Sequence, residues 1–138
     1  MSTTETARPL PDITPRMKPF YEAASEERLI VQRCAECGAT RFPAVQTCSS
    51  CLASDMRWIE TKGIGEVFSF VIMHQIYHPW FADKTPYVVA QIKLDEGPRI
   101  LSTVIDVEPD EVRIGMAVEV AFQKCSDEIS LPVFRVRG

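Results

Sequence analysis

Two cysteine pairs constrain this chain more than any other feature: Cys34-Ala35-Glu36-Cys37, and then Cys48-Ser49-Ser50-Cys51. The pattern is C-x2-C-x10-C-x2-C. Each C-x-x-C turn offers two thiolates from one tight knuckle, and two facing knuckles supply four soft ligands at tetrahedral corners. A site closed by four thiolates leaves no position for water or substrate, so it is structural rather than catalytic. Zinc is the expected ion, and iron fits the same ligands because tetrahedral all-sulfur sites look alike in sequence. Paired disulfides or a dithiol redox motif are the competing readings. No secretory pattern and no βαβ unit surrounds the pairs, which favours metal. Gly38 follows the second cysteine of the first pair, where a knuckle often needs positive φ. Leu52 holds the matching place after the second pair, so that knuckle is expected to be less ideal.

The fifth cysteine, Cys125, lies in the polar stretch Lys124-Cys125-Ser126-Asp127 and reads as a spectator thiol in a loop. A reducing cytoplasm is the simplest compartment for such a cysteine set. No apolar run approaches the length of a membrane span; Val67–Met73 is the richest, and Ser69 interrupts it. The 138 residues suit one compact unit or a small module joined to a modest domain. Net charge is −4, with eight charges of each sign in residues 1–65 and seven basic against eleven acidic residues in 66–138. A nucleic-acid binder draws most of its affinity from a basic face, and no such face is legible here.

Taken in order, residues 1–14 read as a disordered leader, 15–62 as a short helix with the ribbon, and 63–138 as a barrel. Met17, Phe20, Tyr21 and Ala24 recur at helical spacing, giving one apolar stripe on a helix that ends near Glu27. So short a helix is not stable alone and must lie on this chain's core or on a partner. Leu29–Arg33 reads as a strand entering the first knuckle. Thr40–Phe42 and Val45–Thr47 flank Pro43, which predicts a hairpin drawing the knuckles together. Few residues of this segment look fit for a core, so metal is expected to fold it. Gly63-Ile64-Gly65 is a weak match to a nucleotide loop and a better one to a turn or bulge.

From Glu66 onward the texture is β. Residues 66–74 are largely apolar on both alternating sets, which predicts a strand covered on both faces, as in a closed barrel. Tyr87–Asp95 and Arg99–Ile105 flank the turn Glu96-Gly97-Pro98; Ala117–Gln123 and Leu131–Val136 complete the series. About five strands with one short helical insert point to a small Greek-key barrel. Between the first two strands lies a loop carrying Tyr77, His78, Trp80 and Phe81. Large aromatics concentrate at interfaces, so this loop is a candidate partner-binding surface rather than a barrel plug. His74 and His78 have no serine or cysteine placed beside them as a nucleophile, so no catalytic residue is assigned.

The order of helix, four-cysteine ribbon and five-stranded barrel resembles the zinc-ribbon plus OB-fold family of acyl-CoA-associated proteins. The resemblance covers about residues 17–138. It is carried by Phe20-Tyr21-Glu22, Leu29–Arg33 running into Cys34, Phe42-Pro43, Gly63–Phe70, His78-Pro79, Pro86–Ala90 and Arg113–Val120. Glu27 departs from it, since relatives commonly carry glycine before the Arg-Leu pair. The resemblance implies a mainly β fold of rubredoxin-like ribbon followed by a five-stranded OB barrel. It also implies a non-catalytic subunit in a hetero-oligomer with a thiolase-superfamily enzyme. Such enzymes include thiolases, acyltransferases and the lipid-transfer-protein-like aldolases that shorten steroid side chains. The acyl-CoA would then be a ligand shared with the partner. Its phosphates need cations, which makes Arg33, Arg41 and Arg57 candidates; ordinary surface charge is the plainer reading. Single-stranded nucleic-acid binding is the alternative function. It would need aromatics interleaved with basic residues, and Lys84 is the only cation near the aromatic loop.

Overall fold

The computed structural model describes residues 10–75, 78–127 and 129–137, with the Phe81 side chain excepted. Of the expected leader, residues 1–9 lie outside the described residues, as does Tyr77 of the aromatic loop. Helix α1 spans Lys18–Ser25, with Pro19 in its first turn, where a missing N–H costs nothing. It buries Phe20, Ala23 and Ala24 against strands β1, β8 and β9, defined below. The helix therefore lies on this chain's own core. It ends in a Schellman turn: Arg28 N donates to Ala23 O at 2.9 Å and Glu27 N to Ala24 O at 3.0 Å. Glu27 closes that turn at φ +60. The residue where the resemblance implies glycine thus takes the left-handed conformation that glycine adopts freely.

Three short strands build the ribbon sheet, in the order β2-β1-β3: β1 Ile30–Cys34, β2 Thr40–Arg41 and β3 Met56–Glu60. Both outer strands run antiparallel to β1, which pairs Arg33 with Thr40 on one side and with Arg57 on the other. The hairpin expected across Pro43 does not form. The segment 40–41 pairs back onto β1, and 45–47 is not a strand among the described residues. The buried amide of Gln32 is the reason: it donates to Val45 O and accepts from Val45 N, both at 2.9 Å. A side chain so supplies the bonds a paired strand would have given.

The second sheet has the order β6-β5-β4-β8-β9-β7. Its strands are β4 Ile64–Met73, β5 Tyr87–Leu94, β6 Arg99–Ser102, β7 Val104–Ile105, β8 Ala117–Lys124 and β9 Ser130–Val136. The chain crosses from one sheet to the other at Thr61, whose hydroxyl donates to Leu29 O at 2.9 Å and accepts from Gly63 N at 3.1 Å. The expected third strand of the barrel is broken at Thr103 into β6 and β7, so six pieces stand where five were expected. β6 pairs with β5, while β7 runs parallel to β9. The hydrogen-bonded ladder does not close on itself, and its two end strands are consecutive pieces of chain. β4 is not covered on both faces either. A bulge between Val67 and Ser69 shifts its register, and Phe68 (44% exposed) and Val71 (56%) face outward. Gly65 lets β4 approach β5, because a Cβ there would overlap the Lys93 carbonyl.

One hydrophobic core joins the two sheets and the helix. Phe20, Ala23, Leu29, Ile30 and Val31 are contiguous with Val67, Ile92, Leu94, Ile100, Val118 and Phe134. The ribbon's first strand therefore rests on core packing as well as on its cysteines.

Candidate metal centre and its surroundings

Both knuckles are built alike. Gly38 N donates to Cys34 O at 2.9 Å and Leu52 N to Cys48 O at 2.8 Å. Cys34 N reaches Ala39 O at 2.9 Å, and Cys48 N reaches Ala53 O at 2.8 Å. The β1–β2 turn holds the first knuckle. The second is carried on an irregular segment that Gln32 anchors through Val45.

The four sulfur atoms of Cys34, Cys37, Cys48 and Cys51 all lie within 4.8 Å of one another. Cys34–Cys51 and Cys37–Cys48 are each 3.6 Å apart. A tetrahedral ion with bonds of about 2.3 Å sets its sulfurs roughly 3.8 Å apart, close to these two separations, so the cluster fits zinc. Each pair contributes one enclosed ligand (Cys34, Cys48) and one exposed ligand (Cys37, Cys51). Burial would push the Cys48 thiol up, but the backbone N–H groups of Cys51 and Ser50 outweigh it and hold it at about 6. Cys34 is lowered, chiefly by the Cys37 N–H. At Cys51 the Ala53 N–H acts downward, yet hydrogen bonding to Cys34, burial and the other two thiols prevail and push it up to about 12. Four thiols this close do not all ionise unaided. A dication removes the repulsion, and in return four thiolates tie both knuckles to β1.

The three arginines do not form one group. Arg33 and Arg57 are exposed and face each other across the β1–β3 pair. Both line a hollow of about 520 Å³ with Cys34, Glu36, Cys37, Gly38 and Ile59. Arg41 is turned to the second knuckle, donating from Nη2 to Cys48 Sγ at 3.0 Å and from Nη1 to Ser49 Oγ at 2.8 Å. Nothing in the sequence around Arg41 or Gln32 signalled either side-chain bond, because both connect residues brought together only by folding.

In the aromatic loop, Pro79–Phe81 forms one 3-10 turn capped by His78, whose Nδ1 accepts from Trp80 N at 3.1 Å. The half-buried Trp80 ring lies under Lys84 Nζ, 3.9 Å from its centroid, and Lys84 also pairs with Asp83 at 2.9 Å. Cys125 is half-buried at the β8–β9 turn, and its thiol donates to Gln123 O at 3.4 Å. No described helix is long and apolar enough to cross a membrane.

A four-thiolate ribbon continuous with an unclosed six-stranded sheet defines a scaffold of the zinc-ribbon plus OB-fold class. A family model described as the ChsH2 rubredoxin-like zinc ribbon domain matches residues 22–57. A second, described as the ChsH2 C-terminal OB-fold domain, matches residues 58–123. A DUF35 domain-containing scaffold protein of Methanocaldococcus jannaschii is 35% identical over 101 residues, covering 72% of this chain and 71% of that protein. The chain belongs to this DUF35 family of ChsH2-type proteins. Among solved structures it is similar to a chain of an Ltp2-ChsH2(DUF35) aldolase, with 37% identity and a TM-score of 0.83, over 92% of this chain and 98% of that one. It is also 38% identical over 128 residues to a probable enoyl-CoA hydratase alpha subunit of Thermomonospora curvata. That match takes in 93% of this chain but spans only 40% of the relative's length.

Proposed function

We propose that this chain is a non-catalytic accessory subunit of a thiolase-superfamily enzyme, either a thiolase, an acyltransferase or a lipid-transfer-protein-like aldolase. In that complex it helps to position or enclose an acyl-CoA substrate. The likeness to the aldolase-complex chain, over nearly the full length of both, carries this reading. The metal centre agrees with it: a closed tetrathiolate holds a shape and activates nothing. Trp80 is the proposed anchor on the partner, and Tyr77, His78 and Phe81 are further proposed contacts. The capped turn presents the indole on a fixed backbone, and a buried aromatic at the middle of an interface contributes far more than its rim. Arg33 and Arg57, set side by side at a hollow, are the proposed contacts for CoA phosphates.

The test is co-expression with a thiolase-fold subunit, followed by size-exclusion chromatography of wild type and Trp80→Ala. Wild type co-elutes and supports partner activity. Trp80→Ala binds roughly tenfold or more weakly, with unchanged metal content. If both forms co-elute equally, the interface lies elsewhere; if neither does, the accessory reading fails.

A hydratase is the second class of partner. The region resembling this chain forms part of longer proteins named hydratase alpha subunits, in Thermomonospora curvata and, at 31% identity, in Mycobacterium tuberculosis. Co-elution with a hydratase subunit in place of the thiolase-fold one decides for it.

A further inference from the structure

The contact between Arg41 and Cys48 lies within the ribbon, at the second knuckle. Both acceptors of the Arg41 fork belong to one knuckle, the sulfur of Cys48 and the hydroxyl of Ser49. A planar guanidinium held at both tips has its orientation fixed, which a flexible ammonium would not achieve. Cys48 is fully enclosed, and Ser50 N also approaches its sulfur at 3.4 Å. Cys34 is equally enclosed but receives no arginine among the described residues. The two enclosed ligands therefore differ in the cation in contact with Cys48 and in the Ser50 amide beside it.

We propose that Arg41 is a positioning residue for the metal centre: it offsets part of the thiolate charge and makes Cys48 the last ligand to leave. This rests on the four cysteines being a metal site, and it removes Arg41 from the proposed phosphate contacts. Four thiolates around a dication leave two negative charges in a partly enclosed place, where water compensates them poorly. A guanidinium bonded to one sulfur offsets one of the two charges and draws electron density from that sulfur, so it is the slowest to be attacked. The exposed Cys37 and Cys51 meet any competing chelator or electrophile first. Partners just outside the ligand shell typically govern metal affinity in this way.

The experiment uses the zinc-loaded full chain, pulse-labelled with N-ethylmaleimide and mapped by mass spectrometry, with zinc release followed by a chromophoric chelator. Cys37 and Cys51 label first, then Cys34, and Cys48 last. Arg41→Gln releases zinc roughly tenfold or more faster, and Cys48 then labels together with Cys34. Arg41→Lys keeps the charge but not the fork and falls between the two. Cobalt-loaded protein gives a readout that a merely structural contact would leave alone: the sulfur-to-cobalt charge-transfer band moves in Arg41→Gln. Equal release rates with an unmoved band overturn the proposal. If Arg41→Gln fails to fold, the wild-type labelling order decides, and Cys48 reacting with or before Cys34 overturns it.

Discussion

Gly38 and Leu52 occupy the same place in the two knuckles, at φ +78 and φ +66, each donating its N–H to the carbonyl of the first cysteine of its pair. The geometry is shared and the residue is not. An L-residue in this conformation costs about 1–2 kcal/mol, which glycine avoids. Leu52 is 78% exposed, so little burial compensates.

Leu52→Gly is therefore expected to stabilise the metal-loaded chain. Glycine's greater freedom when unfolded takes back about 0.5–1 kcal/mol, so the net gain is up to about 1 kcal/mol. In thermal unfolding this reads as a rise of roughly 3 °C. A fall in Tm would mean that the Leu52 side chain holds contacts worth more than the strain.

Glu27→Gly tests the same physics at the helix end. Glu27 is exposed and closes the Schellman turn at positive φ, so glycine should hold or raise stability by up to about 1 kcal/mol. Glu27→Val should lose about 1–2 kcal/mol, because a β-branched residue fits that region worst. Chemical denaturation of the three forms orders them directly.

Removing a ligand separates the metal's share of the fold from the core's. Cys48→Ser should lower metal affinity by more than roughly a hundredfold. In hydrogen exchange, the amides of Gly38, Cys48 and Leu52 should lose protection. Those of Ile30 and Val31 should keep theirs, since both residues sit in the common core. Loss of protection throughout β1 would show that the core does not hold that strand without the ion.

Zinc binding to the metal-free chain at pH 7 should release fewer than four protons, because Cys48 titrates at about 6 and is already largely a thiolate, whereas Cys51, at about 12, still holds its proton. A thiol depressed in the fold stabilises it above its ordinary value near 9, and that contribution disappears as pH falls through about 6. Metal affinity accordingly declines on acidification through that range. Calorimetry in two buffers of different ionisation enthalpy counts the protons, and a count of four would contradict the lowered Cys48.

Four cysteines at fixed spacing determined the metal site by themselves, because ligand type and turn length are local properties. The strands were legible for the same reason: alternation and turn residues are written within a few positions of each other. What lay beyond the sequence were the relations between distant residues. Gln32 replaces a strand partner for Val45, and no local signal marks a glutamine that will be buried beside a loop. Phe68 and Val71 look like core residues in sequence, yet both are exposed, Val71 because the bulge at Val67–Ser69 moves it off the face that Val67 buries. In sequence Arg41 is a candidate phosphate contact alongside Arg33 and Arg57, or plain surface charge, and the pairing of β2 with β1 decided that it would meet Cys48. Composition and spacing choose the elements; which side chains meet across them depends on register and packing, and those are settled only when the whole core closes.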